Sequence, residues 1–458
     1  MALARFPVTP AMNDLFASHI SQLQQTYEQA ISRIQNDSYR VDGVLIGSGL
    51  AHYYFGDDQT IPFRAYGHFN HWLPVNQPDQ LLLIRPGRRP GYYQVVPDDF
   101  WYEQTIHNAP WWSEQFDIIR CRDQAEAARH LGDCSRLAFL GENSEFAREC
   151  GIGPQYINPA ALLSRLDYAR AYKTPYEISR LRQANRLALA GHQAARQCFL
   201  EGGSEYRIHM AFLQACDALE SETPYTNIVA LDEKAAILHY QNKRRESGDR
   251  PDGRSQVLLI DAGCRVSGYC SDVTRTSVRD HTPPLFRSLV GAMEVLQHNL
   301  VARVAINLPY AELHRQALAG IVQILVDHEI LRCSATTATE ASLASLFMPH
   351  GVGHLLGIQV HDVGGRQKQA EGGILPPPAD APMLRNTRLM EKHMVFTVEP
   401  GLYFIPSLLD QARTDRRARL IDWNLVDSLI PLGGIRIEDN VLVAEQGPVN
   451  LTRDEMVH

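Results

Sequence analysis

The run QVLLIDAGC (256–264) is apolar until it delivers an aspartate, Asp261, and the next strand-like segment, DVTRTSV (272–278), opens on a second, Asp272. An apolar strand interior does not tolerate an ionised carboxylate without a partner. A turn around Gly268 folds the two segments together and sets the aspartates side by side, where two anions need a cation or one must take a proton. A strand-end aspartate capping a turn is the commoner arrangement, so this pair alone is ambiguous. Two more carboxylates follow the same pattern. Glu399 closes the apolar strand in TVEPG, and Glu438 sits in GIRIED with Arg436 two residues away on the same face.

Between them, FMPHGVGHLLGIQVHD (347–362) places His350, His354 and His361 among Gly351, Gly353 and Gly357. Glycines at this spacing let backbone approach a small, crowded site. A lone histidine is more often structural, but three within twelve positions shift the balance toward chemistry. Four carboxylates and one imidazole form a hard donor set that suits Mn²⁺ or a similar divalent ion better than thiolate-seeking metals. Bridging carboxylates allow five side chains to hold two ions roughly 3.5–4 Å apart, a site that makes hydroxide at neutral pH and polarises a carbonyl. Five unrelated salt bridges would not explain why all five positions fall in compact motifs.

At 458 residues the chain is too long for one ordinary core, and 45% hydrophobic with 21% charged residues excludes disorder and fibrous repeats. Forty-four basic against 52 acidic residues, net −8, make nucleic acid and anionic membrane poor partners. Eight cysteines without a C-x-x-C pair are expected to be reduced thiols in a cytoplasmic protein. The start, MALARFPVTPAMNDLF, has no apolar signal region, and no stretch reaches 18 apolar residues, so neither secretion nor membrane spanning is expected.

Residues 13–34 carry Phe16, Ile20, Leu23, Tyr27 and Ile31 at helical steps. Strands are expected at 43–48, 81–86, 92–97 and 136–141, with a helix at 123–131, giving a small α/β domain over 1–165. No dinucleotide-type glycine pattern occurs there. The second half, 166–458, has a long helix starting at Thr174-Pro175, a helix at 205–220, and strand-like pieces at 227–231 and 235–240. Helices at 285–303 and 310–327 and strands at 394–404 and 434–443 complete an α+β class. PPPADAP (376–382) and RTDRRARL (413–420) are expected to be loops.

Taken in order, DAG…SDVTRT, HGVGHLLGIQVHDVGG, TVEPG and GIRIED resemble the motifs of the pita-bread metallopeptidases, and within them the bacterial Xaa-Pro dipeptidases (prolidases). The resemblance covers nearly the whole chain. It implies an α+β, C-terminal pita-bread (creatinase/aminopeptidase-like) catalytic domain behind the smaller N-terminal domain, and a homodimer. It implies two divalent ions, Mn²⁺ first with Co²⁺ or Zn²⁺ as alternatives, held by Asp261, Asp272, His354, Glu399 and Glu438. In that pattern Asp272 and Glu438 bridge, a bridging hydroxide attacks the scissile carbonyl, and Glu399 is the general base. His361 and His239 hold the peptide and the developing oxyanion, while His350 and Arg436 support the site or touch substrate. Arg385 matches the arginine that reads the free C-terminal carboxylate of a dipeptide. Tyr225, Leu238, Tyr310, Val360 and Leu384 match pocket positions in relatives that also hydrolyse organophosphate triesters, and Asp58 and Trp101 match N-domain residues that reach the partner subunit's site. Departures are Lys392-His393 where the family has Pro-Gly, and the polar stretch 242–256 near His239. An X–Pro bond is a tertiary amide without an N–H, which explains a dedicated enzyme. The alternatives are an aminopeptidase P acting on longer peptides, and a non-catalytic binding module that has lost its metal ligands.

Overall fold

Proline at the first turn of a helix has a φ already suited to it, and the first helix accordingly begins at Pro10, three residues before the expected start, and runs Pro10–Ile34. It buries Phe16, Ile20, Leu23, Tyr27 and Ile31 on one face. The computed structural model describes residues 9–36, 39–246 and 255–455, so 247–254 of the polar stretch flagged above lie outside the described residues. The chain divides into two compact units. One comprises Met1–Arg170 with Thr174–Ile178 and Gln369–Gly373; the other comprises Ala171–Lys173, Ser179–Lys368 and Ile374–His458. The division falls at Arg170 and not at 165 because the helix Ala160–Arg170 packs against Pro10–Ile34 and stays with the first unit.

In the first unit the strands β1 (Gly43–Gly47), β2 (Leu81–Ile84), β3 (Gly91–Val95), β4 (Asp117–Cys121) and β5 (Leu137–Leu140) form one sheet in the order β4-β3-β2-β1-β5. The β1–β2 and β2–β3 pairs are antiparallel, whereas β1–β5 and β3–β4 are parallel. Strand β4 escapes the apolar-run criterion because it is an edge strand and only Cys121 of it is fully buried. Thr174 starts the helix Pro175–Leu200 through a capping box: its hydroxyl accepts from Glu177 N at 3.4 Å, and Glu177 Oε2 accepts from Thr174 N at 2.8 Å.

The second unit contains β6 (Ile228–Leu231), β7 (Val257–Asp261), the short pair β8 (Arg265–Val266) and β9 (Tyr269–Cys270), and β10 (Thr274–Val278). Their three-stranded sheet has the order β10-β7-β6, with Asp261 opposite Thr274. The turn of the β8–β9 pair uses Ser267 and Gly268 at positive φ, as the sequence required. The expected strand at 235–240 is instead a 3-10 turn, Asp232–Ala236. Asp232 ends β6 at a positive φ and spends its carboxylate on the N–H groups of Gln256 and Val257, which diverts the chain. The expected loop at 413–420 contains the end of the helix Pro406–Arg413 and the turn Arg416–Leu420, started by Asp415 accepting from Arg417 N at 2.7 Å.

After β11 (Gln367–Gln369) and β12 (Gly372–Ile374) come β13 (Val395–Val398), β14 (Gly401–Tyr403), β15 (Gly434–Arg436), β16 (Asp439–Ala444) and β17 (Gly447–Asn450). The single strands expected at 394–404 and 434–443 are each broken in two. The pairs β13–β16 and β14–β15 share one register, with Val398 opposite Asp439 and Gly401 opposite Arg436, so Glu399 stands opposite Glu438 at the gap. Pro400, which has no N–H to donate, helps open the ladder there. The freed groups are redirected: Glu399 N donates to Val352 O at 2.9 Å and Glu438 N to Thr274 O at 3.1 Å. The gap thereby draws in both the His/Gly segment and the aspartate hairpin. Among the described residues no helix is long and apolar enough to cross a membrane, and all eight cysteines are free.

Candidate metal centre

The His/Gly segment docks on β13: Thr397 N donates to His354 O at 2.9 Å, and Thr397 Oγ1 accepts from His354 N at 3.1 Å. Gly353 makes this approach feasible. Its φ is 151°, and a Cβ there would overlap Thr397 O. The asparagine beyond Asp439 performs the matching task for the hairpin. Asn440 Oδ1 accepts from Asp272 N at 3.1 Å, and its Nδ2 donates to Asp272 O at 2.5 Å.

Four segments therefore deliver Asp261, Asp272, His354, Glu399 and Glu438 to one place in the second unit, where all five line a cavity of about 440 Å³. Ligand atoms of buried Asp272, His354 and Glu438 lie within 4.8 Å of one another. His354 Nε2 is 3.3 Å from Asp272 Oδ2 and 3.7 Å from Glu399 Oε1. Its Nδ1 donates to Leu355 O at 3.0 Å, the tautomer-fixing bond that leaves Nε2 for a proton or a metal. The fixed cation paired with these carboxylates is Arg436, 2.7 Å from Asp261.

The resulting shortage of positive charge shows in the titration of the acids. Burial pushes the Glu399 carboxyl up to about 7. Burial, then Asp272 and Glu399, hold Glu438 well above the usual range, and burial also raises Asp261. Burial works against ionised Asp272 too, but the hydrogen bond and charge of His354 outweigh it and its carboxyl is lowered. His354 is raised, burial being overcome by the same contact. A buried, oxygen-rich cluster short of cations, with an imidazole nitrogen aimed into it, fits divalent metal.

Arg436 also begins a directed chain of hydrogen bonds. It donates to Tyr403 Oη at 2.8 Å, Tyr403 lies 2.9 Å from His350 Nε2, and His350 Nδ1 donates to Gly351 O at 2.8 Å. His350 is lowered to about 3, by burial first and then by Arg436, so its neutral ring accepts from the tyrosine. Tyr403 was not singled out in the sequence, although a hydroxyl in the apolar PGLYF run asks for a partner. Thr274 is a second such residue, donating to Glu438 Oε2 at 2.6 Å.

Of the other expected site residues, His239, His361, Arg385 and Leu238 line the cavity. Tyr225 donates toward Asp261 and Asp272, 2.6 Å from each, and so belongs with the aspartates rather than with an apolar pocket wall. Tyr310 and Leu384 do not line the cavity; both are fully buried in the hydrophobic core, Tyr310 packing on Phe396 and donating to Thr397 O. Val360 is half-buried and is not a lining residue. Asp58 and Trp101 lie exposed on the first unit, Trp101 at 77%.

The loop bearing His361 rests on a fully buried ion pair, Lys173 Nζ to Asp362 Oδ2 at 2.9 Å. A Cβ on Gly357 would overlap Asp362 and crowd Lys173. Gly357→Ala should therefore separate the pair and cost about 3 kcal/mol or more in urea unfolding. A variant as stable as the parent would show that the loop absorbs the methyl group. Buried His19, His71 and Glu177 of the first unit form a second cluster of donor atoms, but these are already engaged in the cap of Pro175–Leu200. His19 donates to His71 O at 2.8 Å and meets Thr174 Oγ1 at 2.9 Å, and His71 meets Glu177 at 3.2 Å.

Residues 179–445 match the profile described as metallopeptidase family M24, and residues 14–168 match that of an Xaa-Pro dipeptidase N-terminal domain. The chain is 40% identical over 445 residues to an Xaa-Pro dipeptidase of Pseudoalteromonas atlantica, covering 96% of this chain and 98% of that protein. It is 42% identical over 443 residues to one of Marinobacter nauticus, with the same coverage. In fold it is similar to aminopeptidase P from E. coli in its low-pH form (TM-score 0.70, 21% identity, 96% of each chain). It is equally similar to proline aminopeptidase P II from Yersinia pestis (0.69, 20%, 95% and 97%). These structures bear out the expected pita-bread catalytic domain behind a smaller α/β domain.

Proposed function

Since the chain belongs to metallopeptidase family M24, as a bacterial prolidase of that family, we propose that it cleaves Xaa-Pro dipeptides with a free C-terminal carboxylate. The observation that carries this is the composition of one cavity. The carboxylate–histidine cluster shares about 440 Å³ with Arg385, room for a small peptide.

Asp261, Asp272, His354, Glu399 and Glu438 would hold two divalent ions, Mn²⁺ first with Co²⁺ or Zn²⁺ as alternatives. When bound, the ions supply carbonyl polarisation and a nucleophile from water at neutral pH. The protein's own residues do the rest. Glu399, placed beside His354 and the other carboxylates of the cluster, takes the proton of the attacking water and returns it to the proline nitrogen, which has no proton of its own. His361 and His239 donate to the peptide oxygen as charge develops on it. Burial, then the charge of Arg436, keeps His350 neutral, and Tyr403, held by Arg436, orients it. Arg385 reads the carboxylate of the substrate with its planar fork.

The reading includes a cytoplasmic homodimer in which Asp58 and Trp101 of each protomer reach the neighbouring cavity. It also includes a side activity on organophosphate triesters, whose phosphoryl oxygen can take the place of the carbonyl. The test is metal-reconstituted enzyme assayed on Ala-Pro, Leu-Pro and Ala-Pro-Ala with Mn²⁺, Co²⁺ and Zn²⁺ compared. Dipeptides should be the preferred substrates; faster turnover of Ala-Pro-Ala would make it an aminopeptidase P instead.

A further inference from the structure

Besides Arg385 and Arg436, a third arginine, Arg366, lines the same cavity five residues beyond His361. We propose that Arg366 and Arg385 together form a two-guanidinium clamp for the free C-terminal carboxylate of the substrate, an inference that rests on the dipeptidase reading above.

The two arginines lie on segments that are stitched together. Arg366 Nε donates to Leu384 O at 2.9 Å, and Thr387 N donates to Gly365 O at 2.9 Å. Gly365 permits the approach, because a Cβ there would crowd Arg385 O. The bond to Leu384 O consumes one of the five N–H groups of Arg366 and pins its plane beside the backbone of Arg385. The two terminal nitrogens remain for a ligand. Among the described residues neither Arg366 nor Arg385 is ion-paired with a carboxylate, although four carboxylates line the cavity and one of them, Asp261, is taken by Arg436. Both arginines are exposed at the cavity wall, open to an anionic group of a bound ligand. A carboxylate has two oxygens and about four lone-pair sites, enough to accept from both forks. A dipeptide brings that group to a fixed distance from its scissile bond. A longer peptide or a C-terminal amide puts a neutral group there and loses the charge-assisted bonds to both arginines.

The competing explanation is that Arg366 only pins its loop to Leu384 O, and substrates with and without the charge separate the two. Metal-loaded Arg366→Ala and Arg366→Gln are compared with Arg385→Ala and the parent on Leu-Pro and on Leu-Pro amide. Gln retains an amide donor for the Leu384 carbonyl, so it carries the test if Ala unfolds. The expected result is a KM for Leu-Pro raised about tenfold or more, with kcat changed less than about threefold and amide turnover unaltered. Calorimetric titration should show a similar weakening for free proline and none for prolinamide. Equal losses on acid and amide, or no loss on either, would overturn the clamp while leaving the dipeptidase reading intact. A parent enzyme that fails to cleave Leu-Pro would overturn both.

Discussion

Glu399→Gln should lower kcat on Leu-Pro by about a hundred- to ten-thousandfold while leaving KM nearly unchanged, the range expected when a positioned general base is lost. The substitution is close to isosteric. The 3.4 Å contact from Thr397 Oγ1 to Glu399 Oε1 can persist with the amide oxygen, and the backbone bond from residue 399 to Val352 O does not involve the side chain. What disappears is a buried proton acceptor that faces the cavity beside His354. The measurement is steady-state kinetics on samples whose metal content is determined beside them, because Glu399 is also a proposed ligand. Unchanged turnover at full metal occupancy would remove Glu399 from the mechanism.

Chelation should abolish cleavage and lower the melting temperature, and restoring Mn²⁺ should raise it more at pH 8 than at pH 6. The sign follows from the shifts. Without a cation, folded Glu399 titrates near 7 and Glu438 well above its ordinary value, so the folded state keeps protons that the unfolded chain has released. Stability of the metal-free protein then falls as pH rises from the ordinary glutamate range through about 7. His354, raised by Asp272, acts in the same direction: its contribution is full below the unfolded histidine pKa and is lost as pH rises through the folded one. Asp272, lowered, contributes above its unfolded value and matters only in more acid solution. Metal displaces these protons and binds more tightly as pH rises. At a hundredfold excess over the dissociation constant the gain is about 2.7 kcal/mol, or roughly 5–10 °C for a unit of this size. Equal shifts at both pH values would mean that the ligands are already ionised without metal.

The proposed ligand carboxylates were legible because they stand at the ends or openings of strand-like runs, and burial of an ionised group is costly enough to leave a mark in the sequence. Asp261, Asp272, Glu399 and Glu438 all stand out this way, and the glycine-spaced His350, His354 and His361 add to them. Other parts depend on three-dimensional choices that no single run encodes. Tyr310 and Leu384 looked like pocket residues, yet their side chains turn into the core. The 235–240 segment has strand-like composition, but one aspartate, Asp232, diverts it through bonds to residues more than twenty positions away. Strand β4 is held by its neighbour and not by an apolar pattern of its own. Lys173 and Asp362 are 189 positions apart, so nothing in either local sequence announces their ion pair.

The interrupted ladder at Glu399 and Glu438 separates the architecture of the site from its chemistry. The bonds that gather the four segments are made by main-chain groups, Glu399 N to Val352 O, Glu438 N to Thr274 O and Thr397 N to His354 O, with the Thr397 hydroxyl and the Asn440 amide assisting. None depends on a carboxylate. The side chains at the gap can therefore be exchanged while the surrounding frame persists, so mutation can erase or remodel the reaction in this fold without first dismantling the protein that hosts it.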